Sequence, residues 1–242
     1  MRRPFASVIK QCRKIGWPEF VVLLAIGSLT ASLWIFVTVT DEVIESEHRA
    51  IDKRVMLAFR TPGDLARPIG PEWVKRVSLE ISAMGSAPVL TIIVLLICGY
   101  LFLEKNPAAA WTILFASVSG TILNQILKNL IGRERPQIVP HLSEISNSSF
   151  PSGHSMLSAI IYLTVATLLT KTVHTRAAKI YLIGSAFVLA FLVGLTRVII
   201  GVHYPTDVVA GWMAGTAWAI ICWFLAGWFS RRGQLLSKGV AT

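Results

Sequence analysis

Residues 20–39 read FVVLLAIGSLTASLWIFVTV, twenty positions from Phe20 to Val39 with no charge among them. An α-helix rises about 1.5 Å per residue, and the hydrocarbon core of a bilayer is about 30 Å thick. The stretch is therefore long enough to cross one. Arg2, Arg3, Lys10, Arg13 and Lys14 precede it. A cleavable leader has a shorter apolar core that ends at small residues. Ala31 and Ser32 are small, but Trp34, Ile35 and Phe36 carry the apolar run past them, which predicts an uncleaved first helix.

The rest of the chain follows the same pattern. Its 242 residues are 54% hydrophobic and 15% charged, with a mean hydropathy of +0.63. Soluble domains carry about 25% charged residues. Apolar runs at about 87–103, 108–127, 155–170, 180–196 and 208–229 bring the predicted spans to six, with a tight hairpin from Glu104 to Pro107 between the second and third. Backbone groups in lipid must be satisfied within their own segment, so these runs are read as helices. No repeat or low-complexity linker divides the chain. The expected fold class is all-α: a single domain over residues 1–242, an integral membrane bundle of six transmembrane helices with a partly helical outward-facing segment between spans one and two. In that segment, Asp41 to Ser86, the stretch His48 to Arg60 carries Ile51, Val55, Met56 and Phe59 at helical spacing. Such a helix lies on the outer surface or caps the bundle.

The formal net charge is +10, but the basic residues fall in short clusters between apolar runs. That distribution orients membrane helices and does not call for nucleic acid. Twelve Lys and Arg lie on the side of the two termini, while the seven in Asp41 to Ser86 are offset by eight acidic residues. Both termini are therefore expected in the cytoplasm, with the long segment and the loops after spans three and five outside. Cys12, Cys98 and Cys222 are too far apart for metal-ligand spacing or a disulfide framework, and are read as buried inert thiols.

Three outward-facing clusters hold polar residues. Lys128 to Pro136 ends span three; if the helix continues, Lys128 and Arg135 share one face about 10 Å apart, until Pro136 turns the chain out. Alone, this is an ordinary interfacial basic cluster. Phe150 to His154 opens span four, where Ser152 and Gly153 offer free backbone N–H groups to an anion and His154 stands beside them. Alone, the histidine reads as a cap. Thr196 to Asp207 links spans five and six: Arg197 is costly at a span end unless it snorkels or meets an anion, and Asp207 can hold an imidazole N–H of His203. Together the clusters supply three cations, two histidines, a carboxylate and a helix N-terminus on one face of the topology. Three cations match the three equatorial oxygens of a phosphoryl group, and the histidines can act as nucleophile and acid. No cluster has the spacing of a metal site.

In order along the chain, these residues spell KX6RP at Lys128 to Pro136, PSGH at Pro151 to His154, and SRX5HX3D at Thr196 to Asp207, with Thr196 in place of the usual serine. The pattern resembles the type 2 phosphatidic acid phosphatase family. The resemblance implies that His203 attacks phosphorus, Asp207 orients it, and His154 protonates the leaving oxygen and then activates water. It assigns phosphate binding to Lys128, Arg135, Ser152, Gly153, Thr196 and Arg197, and implies neither metal nor other cofactor. Arg133, Glu134 and His141 match no motif position and are read as loop residues. The implied partners are the bilayer and a phosphorylated membrane lipid: undecaprenyl pyrophosphate, phosphatidylglycerol phosphate, phosphatidic acid or a lipid A phosphate. The implied location is a bacterial inner membrane, with the chemistry facing the periplasm or exterior.

Two alternatives stand beside this reading. Vanadium-dependent haloperoxidases share the anion pocket with this family but are soluble and much larger. A transporter or binding protein for an anionic lipid needs the cations, but no nucleophile paired with an acid.

Overall fold

A computed structural model of the chain describes residues 17–45, 49–142 and 148–239. Cys12, the basic residues ahead of Trp17, and His48 lie outside them. Eight helices are described: α1 (Trp17–Ile44), α2 (Arg49–Ala58), α3 (Glu72–Ala83), α4 (Ala87–Leu103), α5 (Pro107–Ile131), α6 (Gly153–Leu169), α7 (Arg176–Ile199) and α8 (Pro205–Gly239). Each predicted span lies in or nearly in one of the last five or in α1, and most of the helices run several residues further. Local chemistry sets their starts. Asn106 caps α5 by accepting the N–H of Ala109, and Thr175 caps α7 through Ala178. Pro107 and Pro205 open α5 and α8, where a missing N–H costs nothing.

The segment between α1 and α4 departs from the all-α expectation. Between α2 and α3 the chain forms an antiparallel pair, β1 (Arg60–Thr61) and β2 (Asp64–Pro68). Pro62 and Gly63 make the turn, with Gly63 at φ +86°, a conformation that favours glycine. Helical spacing through 48–60 does not extend over the Pro62–Gly63 turn, and Pro-Gly is a turn signal. The expected helix at 48–60 is α2, which caps the bundle: Asp52 and Met56 are buried while Ile51 is exposed.

Among the described residues, α1, α5, α7 and α8 are long and apolar enough to cross a bilayer unaided. α3 and α4 meet at a 47° bend and together have the length and composition of a fifth, broken span. α4 and α6, at 17 residues each, stand at the lower end of the crossing range of about 17–25.

α6 is the hub, packed against α5, α7 and α8, while α8 also packs against α1 and α3 against α7. Two glycines let α8 touch α6. A Cβ on Gly211 would stand 2.7 Å from the Ser152 carbonyl oxygen, and one on Gly215 2.5 Å from that of Met156. Small residues let membrane helices approach backbone to backbone. Here the approach joins the second and third turns of α8 to the start of α6. Cys98 and Cys222 are buried thiols, as expected.

Candidate active site

Lys128 sits in the last turn of α5, which ends at Ile131 because Gly132 takes a left-handed φ of 62° and returns its N–H to the Lys128 carbonyl. The helix does not continue to Arg135, so the expected helical face joining Lys128 to Arg135 is not formed. The two cations converge by another route: Lys128 Nζ and Arg135 Nη2 both donate to the carbonyl of Ser148. Arg135 Nη1 donates to the Val202 carbonyl at 2.7 Å and lies 3.2 Å from Nε2 of His203.

Ser152 caps α6, its Oγ accepting from the N–H and hydroxyl of Ser155. Its own backbone N–H is not free, as the sequence reading expected, but donates to the Asp207 carbonyl at 3.0 Å. That bond exists because α8 lies against the start of α6. The N–H groups of Gly153 and His154 have no acceptor among the described residues and form the open end of the helix. A Cβ on Gly153 would come within 3.1 Å of Asn124 Oδ1 and 3.9 Å of Lys128 Cε, so glycine keeps the approach narrow but clear. The His154 imidazole is within electrostatic reach of Arg197, His203, Arg135 and Lys128.

Arg197 is buried in the last turn of α7, with Nη1 donating to Ser82 Oγ on α3 at 2.6 Å. The neighbouring Thr196 hydroxyl donates to the Val193 carbonyl at 2.7 Å, leaving its oxygen as an acceptor only. After α7 the chain turns at Gly201, with φ +86°, and delivers His203 two residues before α8 begins. His203 is 2% exposed and Asp207 fully buried, with Nδ1 and Oδ2 3.4 Å apart, an ion-pair distance longer than an ordinary hydrogen bond. Burial pushes the His203 pKa down to about 4, against the pull of Asp207, so the imidazole is neutral at pH 7.

Arg133, read from sequence as a loop residue, does lie in the loop after α5, but its side chain is mostly buried and joins two buried carboxylates. Its Nη1 donates to Asp207 Oδ1 at 2.6 Å and Thr206 Oγ1 at 2.7 Å, its Nη2 to Asp52 Oδ2 at 2.8 Å, and its guanidinium lies 4.1 Å from the Tyr204 ring centroid. Burial alone would loosen its proton, but the two carboxylates reverse this and raise its pKa above the ordinary value. Asp52 is one of eight acidic residues between Asp41 and Ser86, with nothing in the sequence to single it out. Ser82 and Asn124 were likewise unmarked. Glu134 and His141 are exposed loop residues, as read.

The structure thus gathers Lys128, Gly153, His154, Arg135, Arg197, His203 and Asp207 around one point, with Ser152 and Thr196 in the supporting backbone. Among the described residues, no three His, Cys, Asp or Glu side chains come together as a metal site would require. The groove beside β2 and the start of α3 contains none of these residues.

Known proteins resemble the chain over most of its length. The family model described as PAP2 superfamily matches residues 109–231. Phosphatidylglycerophosphatase B of Bacillus subtilis is 34% identical over 196 residues, covering 78% of this chain and 86% of that protein. A lipid A 1-phosphatase of Rhizobium etli is 30% identical over 200 residues, covering 72% and 75%. The crystal structure of a transmembrane PAP2-type phosphatidylglycerolphosphate phosphatase from Bacillus subtilis superposes with a TM-score of 0.73 at 28% identity, covering 85% of this chain and 96% of that one.

Proposed function

The chain belongs to the PAP2 superfamily, and from that premise we propose that it removes the terminal phosphate of a membrane lipid, without a metal ion, through a phosphohistidine at His203. That it is a membrane phosphatase follows from the family and its apolar helices. The residue roles, the lipid and the topology are our reading.

The observation that carries the mechanism is the pair of contacts on the His203 ring. Nδ1 faces Asp207, while Nε2 faces Arg135, one of the cations that would hold phosphate. Lys128, Arg135, Arg197 and the N–H groups of Gly153 and His154 bind the phosphoryl oxygens. The Nε2 lone pair forms a bond to phosphorus as the bond to the lipid oxygen breaks, and His154 gives that oxygen its proton. Water then attacks phosphorus, His154 takes the water proton, and the N–P electrons return to Nε2. Cations and helix N–H groups aimed at the equatorial oxygens stabilise the charge that the transition state spreads over them.

We read α4 and α6 as crossing the membrane with the other four, giving six spans with both termini in the cytoplasm. The charge count supports this orientation. The contacts of Asp52 with Arg133 and of Ser82 with Arg197 support placing the segment between α1 and α4 on the same side as the three motifs. The site then opens outside the cytoplasm of a bacterial cell. Phosphatidylglycerol phosphate and undecaprenyl pyrophosphate are the leading substrates, ahead of phosphatidic acid and lipid A phosphates.

Phosphate release from purified protein across these four lipids, with EDTA present, tests the proposal. Turnover should persist in EDTA and vanish in His203→Ala while that variant still binds lipid. Release by His203→Ala, or abolition by EDTA, contradicts it.

A further inference from the structure

Asp52 lies on α2, outside residues 109–231 that the family model covers, and it is fully buried. A buried carboxylate is costly unless paired and hydrogen-bonded. Here all of its capacity goes to one place. Oδ1 accepts the N–H of Thr206 at 3.1 Å, and Oδ2 accepts the Thr206 hydroxyl at 2.7 Å and Arg133 Nη2 at 2.8 Å. Thr206 stands beside Asp207, and the other arm of Arg133 ends on Asp207. We propose that Asp52 is a positioning residue: through Arg133 and Thr206 it fixes the Asp207 carboxylate and preserves the negative charge that Asp207 presents to His203.

Arg133 paired with Asp207 alone would cancel the carboxylate that His203 needs. With Asp52 sharing the guanidinium, one cation lies between two anions and the trio keeps a net charge of −1. Oδ1 of Asp207 is held by Arg133, so Oδ2 is the oxygen left to face Nδ1 of His203 while accepting the Tyr204 N–H at 2.9 Å. A phosphoryl group on Nε2 makes the ring cationic as long as Nδ1 keeps its proton, and this is when the surviving charge matters. The other charged or titratable groups facing His203 are Arg135 from the loop after α5, Arg197 from α7 and His154 from α6. All but His154 are fixed cations, so the Asp52–Arg133–Asp207 trio is the counterweight to them.

The inference rests on the phosphohistidine reading, and its test separates the two. Phosphate release by the full-length protein would be followed against pH for the wild type, Asp52→Asn, and Asp52→Asn combined with Arg133→Gln, with thermal unfolding recorded for each. Asp52→Asn keeps the size and an acceptor oxygen but makes the trio neutral. Its kcat should fall about tenfold, with KM within about twofold, and the acid limb of kcat/KM should move about one unit lower, because a neutral trio stabilises imidazolium less. The double variant restores the net charge of −1, so its acid limb should return to the wild-type position even though its kcat stays low. A limb that does not move in Asp52→Asn, or that fails to return in the double variant, overturns the proposal. A purely structural role would lower the folded fraction and leave the limb in place. If Asp52→Asn gives no folded protein, Arg133→Gln is compared with the double variant, since the two differ only at Asp52: the acid limb of Arg133→Gln, with a net charge of −2, must lie higher, and coincident limbs overturn the proposal. His203→Ala in the same assay isolates the underlying reading: activity there refutes the phosphohistidine, whereas silence there with an unmoved Asp52→Asn limb refutes only the role of Asp52.

Discussion

Arg135 and His203 meet nitrogen to nitrogen, with Nη1 3.2 Å from Nε2. A guanidinium nitrogen can only donate, so Nε2 accepts and the ring proton of a neutral imidazole belongs on Nδ1, toward Asp207. The lone pair assigned to attack phosphorus is therefore oriented before substrate arrives, and Arg135 covers it. A bound phosphoryl oxygen offers Arg135 a better acceptor and uncovers Nε2.

Arg135→Lys tests this arrangement. Lysine keeps the charge but has no planar fork to reach both the Val202 carbonyl and the ring. Loss of one well-placed donor to transition-state charge costs about 10²–10³ in kcat. We expect a loss of that order in phosphate release, with the protein still folded; a kcat within a few-fold of wild type would show that Arg135 is not aimed at the reacting group.

Stability should carry the signature of a buried neutral histidine. Burial holds the folded pKa of His203 near 4, below the ordinary 6.5, so between those values the unfolded chain binds the proton first. The contribution is intact above pH 6.5 and is lost progressively as pH falls toward 4. Thermal midpoints measured from pH 8 to pH 4 should fall more steeply for the wild type than for His203→Gln, which has no proton to gain. Parallel curves would mean that His203 titrates normally in the fold.

The contact of α8 with α6 should be intolerant of a single methyl group. A Cβ on Gly211 meets the Ser152 carbonyl at 2.7 Å and Ser155 Cβ at 2.9 Å. Gly211→Ala must push α8 away from the helix start that holds Gly153 and His154, stretching the bond from the Ser152 N–H to the Asp207 carbonyl. Overpacking of this kind costs about 1–3 kcal/mol. We expect a lower thermal midpoint and at least a tenfold drop in phosphate release among folded molecules. Gly227→Ala, where nothing lies within 4 Å of the added carbon, should behave as wild type in both measurements.

These sites also mark what could be read from the sequence. Lys128, Arg135, His154, Arg197, His203 and Asp207 stood out because ionisable residues at the ends of apolar helices are expensive, and because the spacing within each cluster is short and local. The stop at Gly132 was readable in principle, since a glycine after a basic last turn is a common helix end. Asp52, Ser82 and Arg133 were not legible. Each gains its meaning from a partner at least 70 residues away in sequence: Asp52 from Thr206, Ser82 from Arg197, Arg133 from Asp207. Nothing local distinguishes Asp52 from the other acids of its segment. The Ser152 N–H was misread for the same reason, because its acceptor arrives on α8.

The central claim is a covalent phosphoryl group on His203, and the most direct measurement is to trap it. His154→Ala removes the group assigned to activate water, so the intermediate should accumulate when this variant is mixed with a lipid substrate that carries a good leaving group. After an alkaline quench, which preserves phosphohistidine, peptide mass spectrometry should find the phosphoryl group on the peptide containing His203, and none on the same peptide from His154→Ala combined with His203→Ala. A phosphoryl group on another residue, or release of the leaving group by His154→Ala with no protein-bound phosphate at any quench time, would contradict the account.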